Sequence, residues 1–435
     1  MTSKFKHIFL LILAVFLFAP AALHASAEKG DGEKETMDVK EIIFEHLGDG
    51  YGWEVPFAHQ YRIPLPVIVR AEDGSWHCFS SARLRELVVT KNEVTGKEEH
   101  HLHPVPVVLE DGGKKYTFIL SKSEANKNKV VELMPLAADV QDKVVLQADS
   151  LAVAENKPLS EVNVPGYIKV DGQYYTEYKP WDFSFTKNVL ALFITAILVT
   201  LMMMSVVRWY KRNNLKAPRK GSGFLELIVE FVYNGVIKST LGKKAPKFAP
   251  YLLTAFFFIL TMNLLGLIVI FPGGANLTGN IAVTLVLALL TFFMTNIKGT
   301  KHYWKDILWP DVPIWLKCPL PIMQFIEVFG IFTKPAALCV RLFANMMGGH
   351  MIVITLVLLI FIFGAFGAAA VGGVTVVSTI FSIFMLALDV LVSFIQAYVF
   401  TMLSTIFIGL AQEDGHHEEK KHHASVGADV PEAHA

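Results

Sequence analysis

Fifty consecutive residues, Phe248 to Ile297, carry no formal charge, and between Arg341 and Glu413 the single charged side chain is Asp389. A helix needs ~20 predominantly apolar residues to cross a bilayer, so these runs read as membrane spans. Composition agrees: 53% of the 435 residues are hydrophobic and only 18% are charged, against ~25% charged in soluble domains. The formal net charge is zero, which gives no pointer to nucleic acid. Charge is segregated, with much of it in residues 28–180 and in the last 25.

The first 27 residues read as a signal peptide. Lys4 and Lys6 form the positive region, "IFLLILAVFLFAPAA" the apolar core and "ASA" the cleavage site. An uncleaved anchor helix is the competing reading, and either one exports the polar region beyond it. Residues 28–180 lack any membrane-length apolar run. "VPVVLEDGGKKYTFIL" and "GYIKVDGQYYTEY" place strand-prone runs around Gly-containing turns, so a small β-rich extracytoplasmic domain is expected. The cluster "EHHLH" at 99–103 reads as a solvated loop, with metal binding as the alternative. Cys78, Cys318 and Cys339 show no disulfide framework and no zinc spacing.

"VLALFITAILVTLMMMSVV" at 189–207 is long enough for one crossing. The following "RWYKRNNLKAPRK" holds six positive charges and no acid, which makes it cytoplasmic by the positive-inside rule. "FLELIVEFVYNGVIKS" repeats Glu226, Glu230, Asn234 and Lys238 every fourth residue. Phe224, Ile228 and Phe231 lie on the other side, so an amphipathic helix in the membrane interface is expected. "FPGGANLTGN" breaks the run from Phe248 into a hairpin of two spans, and the basic "KGTKHYWKD" reads as a cytoplasmic return loop. The Pro- and Trp-rich "ILWPDVPIWLKCPLPIMQ" is expected at the cytoplasmic surface. Two long apolar segments come next, roughly 322–364 and 374–411, joined by "GAFGAAAVGG"; strong tilt would accommodate their length. The fold class expected is thus an all-α polytopic membrane protein of about five crossings, with two long tilted C-terminal helices and a small β-rich N-terminal extracytoplasmic domain. Residues 181–412 form the membrane domain, and 413–435 a disordered His-rich cytoplasmic tail.

A charge near the bilayer centre costs ~2.5–3.5 kcal/mol on insertion scales, so Arg341 snorkels, pairs or lines a polar cavity. It precedes the small, polar-tolerant "FANMMGGH" rather than an aromatic belt, which favours a functional role over snorkelling. A guanidinium is effectively never deprotonated. Arg341 therefore attracts a carboxylate and repels a cation but relays no proton: it is a gate. At ~100° per residue Asn345 shares its face, whereas His350 lies ~180° away and ~13.5 Å along the axis. Asp389, Ser393 and Gln396 form one polar stripe on the last helix. Histidine (~6.5) and a carboxylate (~3.9) are groups that exchange protons; the competing reading for each is a satisfied buried polar residue. Glu327 and Lys334 precede Arg341 at steps of seven and read as a cytoplasmic-edge support, with a plain surface pair equally open. Pro335 bends or restarts that helix.

"FVYNGVIKSTLGKKAPKFAPYLLTAFFFILTMNLLGLI", "IEVFGIFTKPAALCVRLFANMMGGH" and "FIQAYVFTMLSTIFIGLA" closely resemble subunit a of F-type ATP synthases, over roughly residues 180–412. The resemblance implies a membrane stator beside a rotating c-subunit ring, offering two offset half-channels in the inner (plasma) membrane. Arg341 would match the arginine separating them. Asn345 and Gln396 match polar positions at that interface, Lys334 and Glu327 cytoplasmic-side positions, and Asn263 a position near the outer half-channel. The implied partners are the c ring, the b-subunit stalk, the catalytic head and lipid; no cofactor, metal or catalytic chemistry of its own is implied. Many bacterial members have Glu in place of His350 and His in place of Asp389, so the pair is swapped here, as in mitochondrial members. The exported domain and the tail have no counterpart in that family core, and whether protons or sodium ions are carried stays open. An autonomous channel or secondary transporter is the alternative, expected to show paired repeats with broken helices. A third reading, an exported binding module merely anchored by helices, leaves five spans with buried charges unexplained.

Overall fold

The computed structural model describes residues 48–412 apart from 55–61, 92–97, 122, 124–125, 156–163, 165, 171, 214–220, 269–273, 309–321 and 364–367. The signal peptide, the His-rich tail, Cys318 and most of the Pro- and Trp-rich loop lie outside the described residues. The described chain falls into two compact units, Gly48–Ala191 and, beyond it, Leu192–Ile268 with residues 274–412.

The first unit is antiparallel β-structure. β3 (Pro66–Arg70) sits between β12 (Trp181–Asp182) and β4 (Trp76–Ser80) in a three-stranded sheet. A five-stranded sheet runs β10 (Tyr167–Val170), β11 (Gln173–Tyr178), β9 (Val130–Pro135), β8 (Lys114–Leu120), β7 (Val107–Asp111). Two pairs, β1 (Gly52–Glu54) with β2 (Arg62–Pro64) and β5 (Arg85–Lys91) with β6 (Glu98–Pro104), complete it. Period-two alternation sends Val67, Val69, Phe79, Tyr116, Phe118 and Leu120 into a shared core. Phe118 is wholly buried, and burial of such a side chain contributes ~1.5–3 kcal/mol. Both expected hairpins form. β7 and β8 meet at Gly112 and Gly113, with φ of 58° and 81°, the left-handed region a two-residue hairpin turn requires. The backbone of "EHHLH" runs on β6 rather than in a loop. A helix that the sequence reading did not single out, α1 (Ala138–Glu155), packs Val144 and Ala148 against Val164 and Tyr174.

α2 (Lys187–Arg212) leaves this unit as a continuous 26-residue helix. In the second unit, α3 (Gly221–Val232) continues through a π-helical turn, Tyr233–Lys238. α3 exposes Phe224, Leu227 and Phe231 and buries Ile228 and Val232, so its apolar surface wraps further round than a two-faced helix would. α4 (Ala245–Leu267) and α5 (Ile281–Ile297) form the expected hairpin. Part of the basic return segment is helical, α6 (Lys301–Leu308). α7 (Ile322–Phe363) has 42 residues and α8 (Ala368–Ala411) has 44, or ~65 Å each at 1.5 Å per residue. α8 starts inside the segment expected to be a loop, where Ala368–Ala370 favour helix and tip its glycine-containing end into the element. α7 runs through Pro335 without a break.

Four stretches are long and apolar enough to cross a membrane, Lys187–Arg212, Gly221–Leu267, Ile326–Leu356 and Gly373–Ala411, with Ile281–Ile297 a shorter apolar helix. The molecule is thus mostly helical with a small β-rich N-terminal region. Within the second unit α7 lies along α5 and α8, and α8 along α4. One end of this bundle is stitched by polar contacts: Lys244 Nζ donates to the Gln412 carbonyl at 2.6 Å, Thr300 N to the Ala411 carbonyl at 2.9 Å, and Gln412 Nε2 to the Lys298 carbonyl.

Candidate functional site

α7 and α8 are antiparallel neighbours, and the polar residues of the two helices meet in rungs. Asn345 Nδ2 donates to Gln396 Oε1 at 2.7 Å. One turn along, the Asp389 carboxylate rests on Gly349, where a Cβ would come within 2.5 Å of Oδ1. Near the far end, Ser378 Oγ donates to the Leu356 carbonyl at 2.5 Å. Gly349 is the position that lets the carboxylate lie against α7 backbone. Ser393, fully buried, does not reach across; its hydroxyl donates back to the Asp389 carbonyl at 2.7 Å.

Arg341 stands on the exposed side of α7. Positions 337, 340–341, 344–345 and 352 are exposed while Leu338, Leu342 and Met346 are buried, a helical period that gives α7 one packed and one open face. Among the described residues no ion pair engages the guanidinium. α8 has a matching open face at Ile380, Phe384, Leu391 and Ile395. Asn345 shares the open side with Arg341 but turns its amide to the buried Gln396, so the two helices are pinned beside the arginine.

His350 faces elsewhere, as its spacing requires. Its Nε2 lies near Gly266 of α4, where a Cβ would also crowd Met346 and the Ala275 carbonyl. Ala275 belongs to the segment between α4 and α5, which is tucked in: Ala275, Asn276, Leu277 and Thr278 are all buried. Thr278 Oγ1 donates to Asn263 Oδ1 at 2.8 Å, and Gly279 N to Asn276 Oδ1 at 2.9 Å. His350 Nε2, Asp389 Oδ2 and Asn276 Nδ2 are buried without a hydrogen-bond partner. Over 90% of buried polar groups are satisfied, so three such atoms on neighbouring elements set this region apart within the bundle. Asn276, Thr278, Gly266 and Gly349 were not singled out by sequence reasoning. The readable signal was an uncharged but polar "ANLTGN" between two spans.

On the other side of Arg341 lies a small cavity lined by Thr291, Thr295 and Asn296 of α5, Tyr303 of α6, Lys334, Pro335 and Leu338 of α7, and Phe407 of α8. The Lys334 ammonium sits 5.7 Å from the centre of the Phe407 ring, and Tyr303 Oη donates to Asn296 Oδ1 at 3.1 Å. Burial raises the Tyr303 phenol above its ordinary pKa, and the Glu327 carboxylate adds to the shift. No ion pair joins Glu327 to Lys334 among the described residues; Lys334 lines the cavity, and Glu327 acts on it only through its charge on Tyr303. At 1.5 Å per residue, Lys334 and His350 are ~24 Å apart along α7 with Arg341 between them. Among the described residues no group of three His, Cys, Asp or Glu side chains is placed to hold a metal ion.

Comparison with known proteins gives two family matches. The ATP synthase A chain family matches residues 189–409, and a domain of unknown function (DUF8433) matches residues 42–183. ATP synthase subunit a of Myxococcus xanthus is 42% identical over 260 residues, covering 58% of this chain and 79% of that protein. ATP synthase subunit a 2 of Prosthecochloris aestuarii is 39% identical over 277 residues, covering 61% and 78%. ATP synthase subunit a 2 of Chlorobaculum tepidum is 40% identical over 278 residues, covering 60% and 72%.

Proposed function

The chain belongs to the family of ATP synthase subunit a, a membrane subunit of the proton-transporting complex, and from its geometry we propose that it is the stator half of the proton path. It makes and breaks no bond of its own. Two polar regions, one around His350, Asp389, Asn263 and Thr278 and the other around Lys334, Tyr303 and Glu327, serve as dead-ended half-channels. Arg341 stands between them with its charge on the open face of α7. A carboxylate carried past on the c-subunit ring meets this guanidinium, gives up its proton to one side and is reloaded from the other. Each proton moving down 100 mV supplies ~2.3 kcal/mol, which the ring transmits to the catalytic head through rotation while the b-subunit stalk holds the stator still.

The observation that carries this reading is the Arg341 environment: a permanent cation among apolar side chains, on an exposed face, with no acid among the described residues against it. A buried or lipid-facing charge is retained only when paired or functional; here the pair is supplied by another protein. His350 and Asp389 hold the proton-exchanging pair in swapped order, close enough along the α7–α8 contact to serve one entrance without forming an ion pair. The five apolar segments are five crossings, with α7 and α8 tilted because each is about twice the ~30 Å hydrocarbon core. The stitched end at Lys244, Lys298 and Gln412, flanked by Lys243, Lys247, Lys301 and Lys305, faces the cytoplasm, and the β-rich unit lies on the outer side of the inner membrane. Arg341→Ala in inverted vesicles tests this directly: ATP-driven acidification is lost, and pumping that persisted would contradict the reading.

A further inference from the structure

An antiparallel sheet with one face on a core usually turns a polar face to water. The β12–β3–β4 sheet does not. Its inner face buries Val67, Val69, His77, Phe79 and Ser184. Read across the register, its outer face carries Trp181 opposite Arg70 opposite Trp76. The next outward row has Phe183, bonded through its N–H to the Ile68 carbonyl, beside Ile68 and Cys78. A third row places Phe185 beside Pro66 and Ser80. Trp181 is 66% exposed, Phe183 58% and Trp76 56%. The Trp76 and Phe183 rings lie 5.5 Å apart, so the aromatics form one contiguous patch rather than scattered side chains. Exposed patches of this kind mark interaction surfaces.

Two features select the partner. The first is continuity. The aromatic strand runs through Thr186 directly into α2, whose first residues to Ala191 belong to the same compact unit. Six extended residues span at most ~20 Å, so Trp181 is tethered within that distance of the point where a membrane span begins. Beyond that point α2 exposes Ile197 and Leu201, as a membrane span would. The second is composition. Tryptophan prefers the membrane–water boundary, where its ring is apolar and its N–H is solvated. Arg70 is set between two tryptophans, and Lys179 and Lys187 flank the strand. The one acid on these three strands, Asp182, points inward and accepts a 2.5 Å hydrogen bond from Tyr51 Oη. The outward rows therefore carry aromatic and other apolar side chains, one base and no acid, matched to acyl chain and lipid phosphate.

We propose that this sheet face is a lipid-docking surface, lying in the headgroup region of the leaflet at which α2 begins. The tryptophans sit at the acyl boundary and Arg70 bonds lipid phosphate, which fixes how the β-rich unit is held on the membrane. The inference requires that α2 span the bilayer and is independent of the proton path. Cys78 lies in the middle row and is exposed, so it offers a native probe. With Cys318 and Cys339 replaced by serine, a nitroxide is attached to Cys78 of the full chain in phospholipid vesicles. A reference label goes on Val108→Cys, an exposed position of β7 in the other sheet. Spin relaxation is compared for oxygen, which concentrates in lipid, and for a water-soluble nickel chelate. The expected result is strong oxygen relaxation at Cys78 with nickel relaxation severalfold below that at 108. Trp76→Ser with Trp181→Ser should restore nickel access at Cys78. Nickel access equal to that at 108 overturns the proposal. So does shielding from both reagents, which would mean a protein cover, and so does nickel shielding that survives the double tryptophan variant.

Discussion

Gly349 shows how much one missing side chain decides. The Asp389 carboxylate lies where a Cβ on residue 349 would stand, 2.5 Å from Oδ1, so Gly349→Ala must push the carboxylate away from α7. The helix itself gains, since alanine is favoured over glycine in a helix interior by ~0.8–1.0 kcal/mol. Assembly should therefore survive while proton flux falls. Gly349→Ala is expected to give membrane levels of the complex like the parent and ATP-driven acidification reduced by tenfold or more, a rise of at least ~1.4 kcal/mol in the barrier. Unimpaired acidification would show that the position of Asp389 does not matter. At this scale the sequence exposed Arg341, Asn345, His350, Asp389 and Gln396 because polar residues stand out on an apolar background. It hid Gly349 and Gly266, whose contribution is the space they leave, and space has no signature along a chain.

Elements were legible where periodicity is long and composition extreme. α2, α4, α5, α7 and α8 follow from apolar runs and the breakers between them, and the β7–β8 hairpin follows from its paired glycines. α1 was missed because its apolar residues are spread round the helix, with Val140, Val145 and Leu146 exposed, leaving Val144 and Ala148 as its main anchors in a segment read only as part of a β-rich domain. The helical α6 was missed because it is only eight residues long and its charged composition reads equally well as a loop. That short helix has a specific attachment. Tyr303 Oη reaches Asn296 Oδ1 at the end of α5, and its ring occupies the space beside Gly299. Tyr303→Phe removes the hydrogen bond and keeps the ring. It should lower the stability of the detergent-solubilised complex by ~0.5–1.5 kcal/mol, read as a lower melting temperature, with proton pumping retained. Pumping lost at unchanged melting temperature would give the phenol a role in proton transfer instead.

For the whole molecule, the division into two units has a functional corollary. The residues proposed for proton transfer, Asn263 to Gln396, all lie in the second unit, and the family match at 189–409 covers that unit while a separate family covers 42–183. Deleting residues 30–178 should therefore leave ATP-driven acidification intact in vesicles; its loss, with the complex still assembled, would make the β-rich unit part of the conduction path. The order of the long apolar helices was readable from sequence because it rests on local composition. The tucked segment at 275–278 and the polar cavity beside Lys334 were not, because they arise only when α4, α5, α7 and α8 are brought together.

The open face of α7 can be tested directly as the surface that meets the ring. Single cysteines are placed at 337, 344, 345 and 352 on that face and at 338, 342 and 346 on the packed face, in a chain whose native cysteines are serine. Each is paired by oxidation with a cysteine next to the ring carboxylate. Disulfides to the small two-helix ring subunit are expected from the open-face positions alone, repeating with the period of the helix. Equal capture from both faces, or none from the positions flanking Arg341, would contradict that contact.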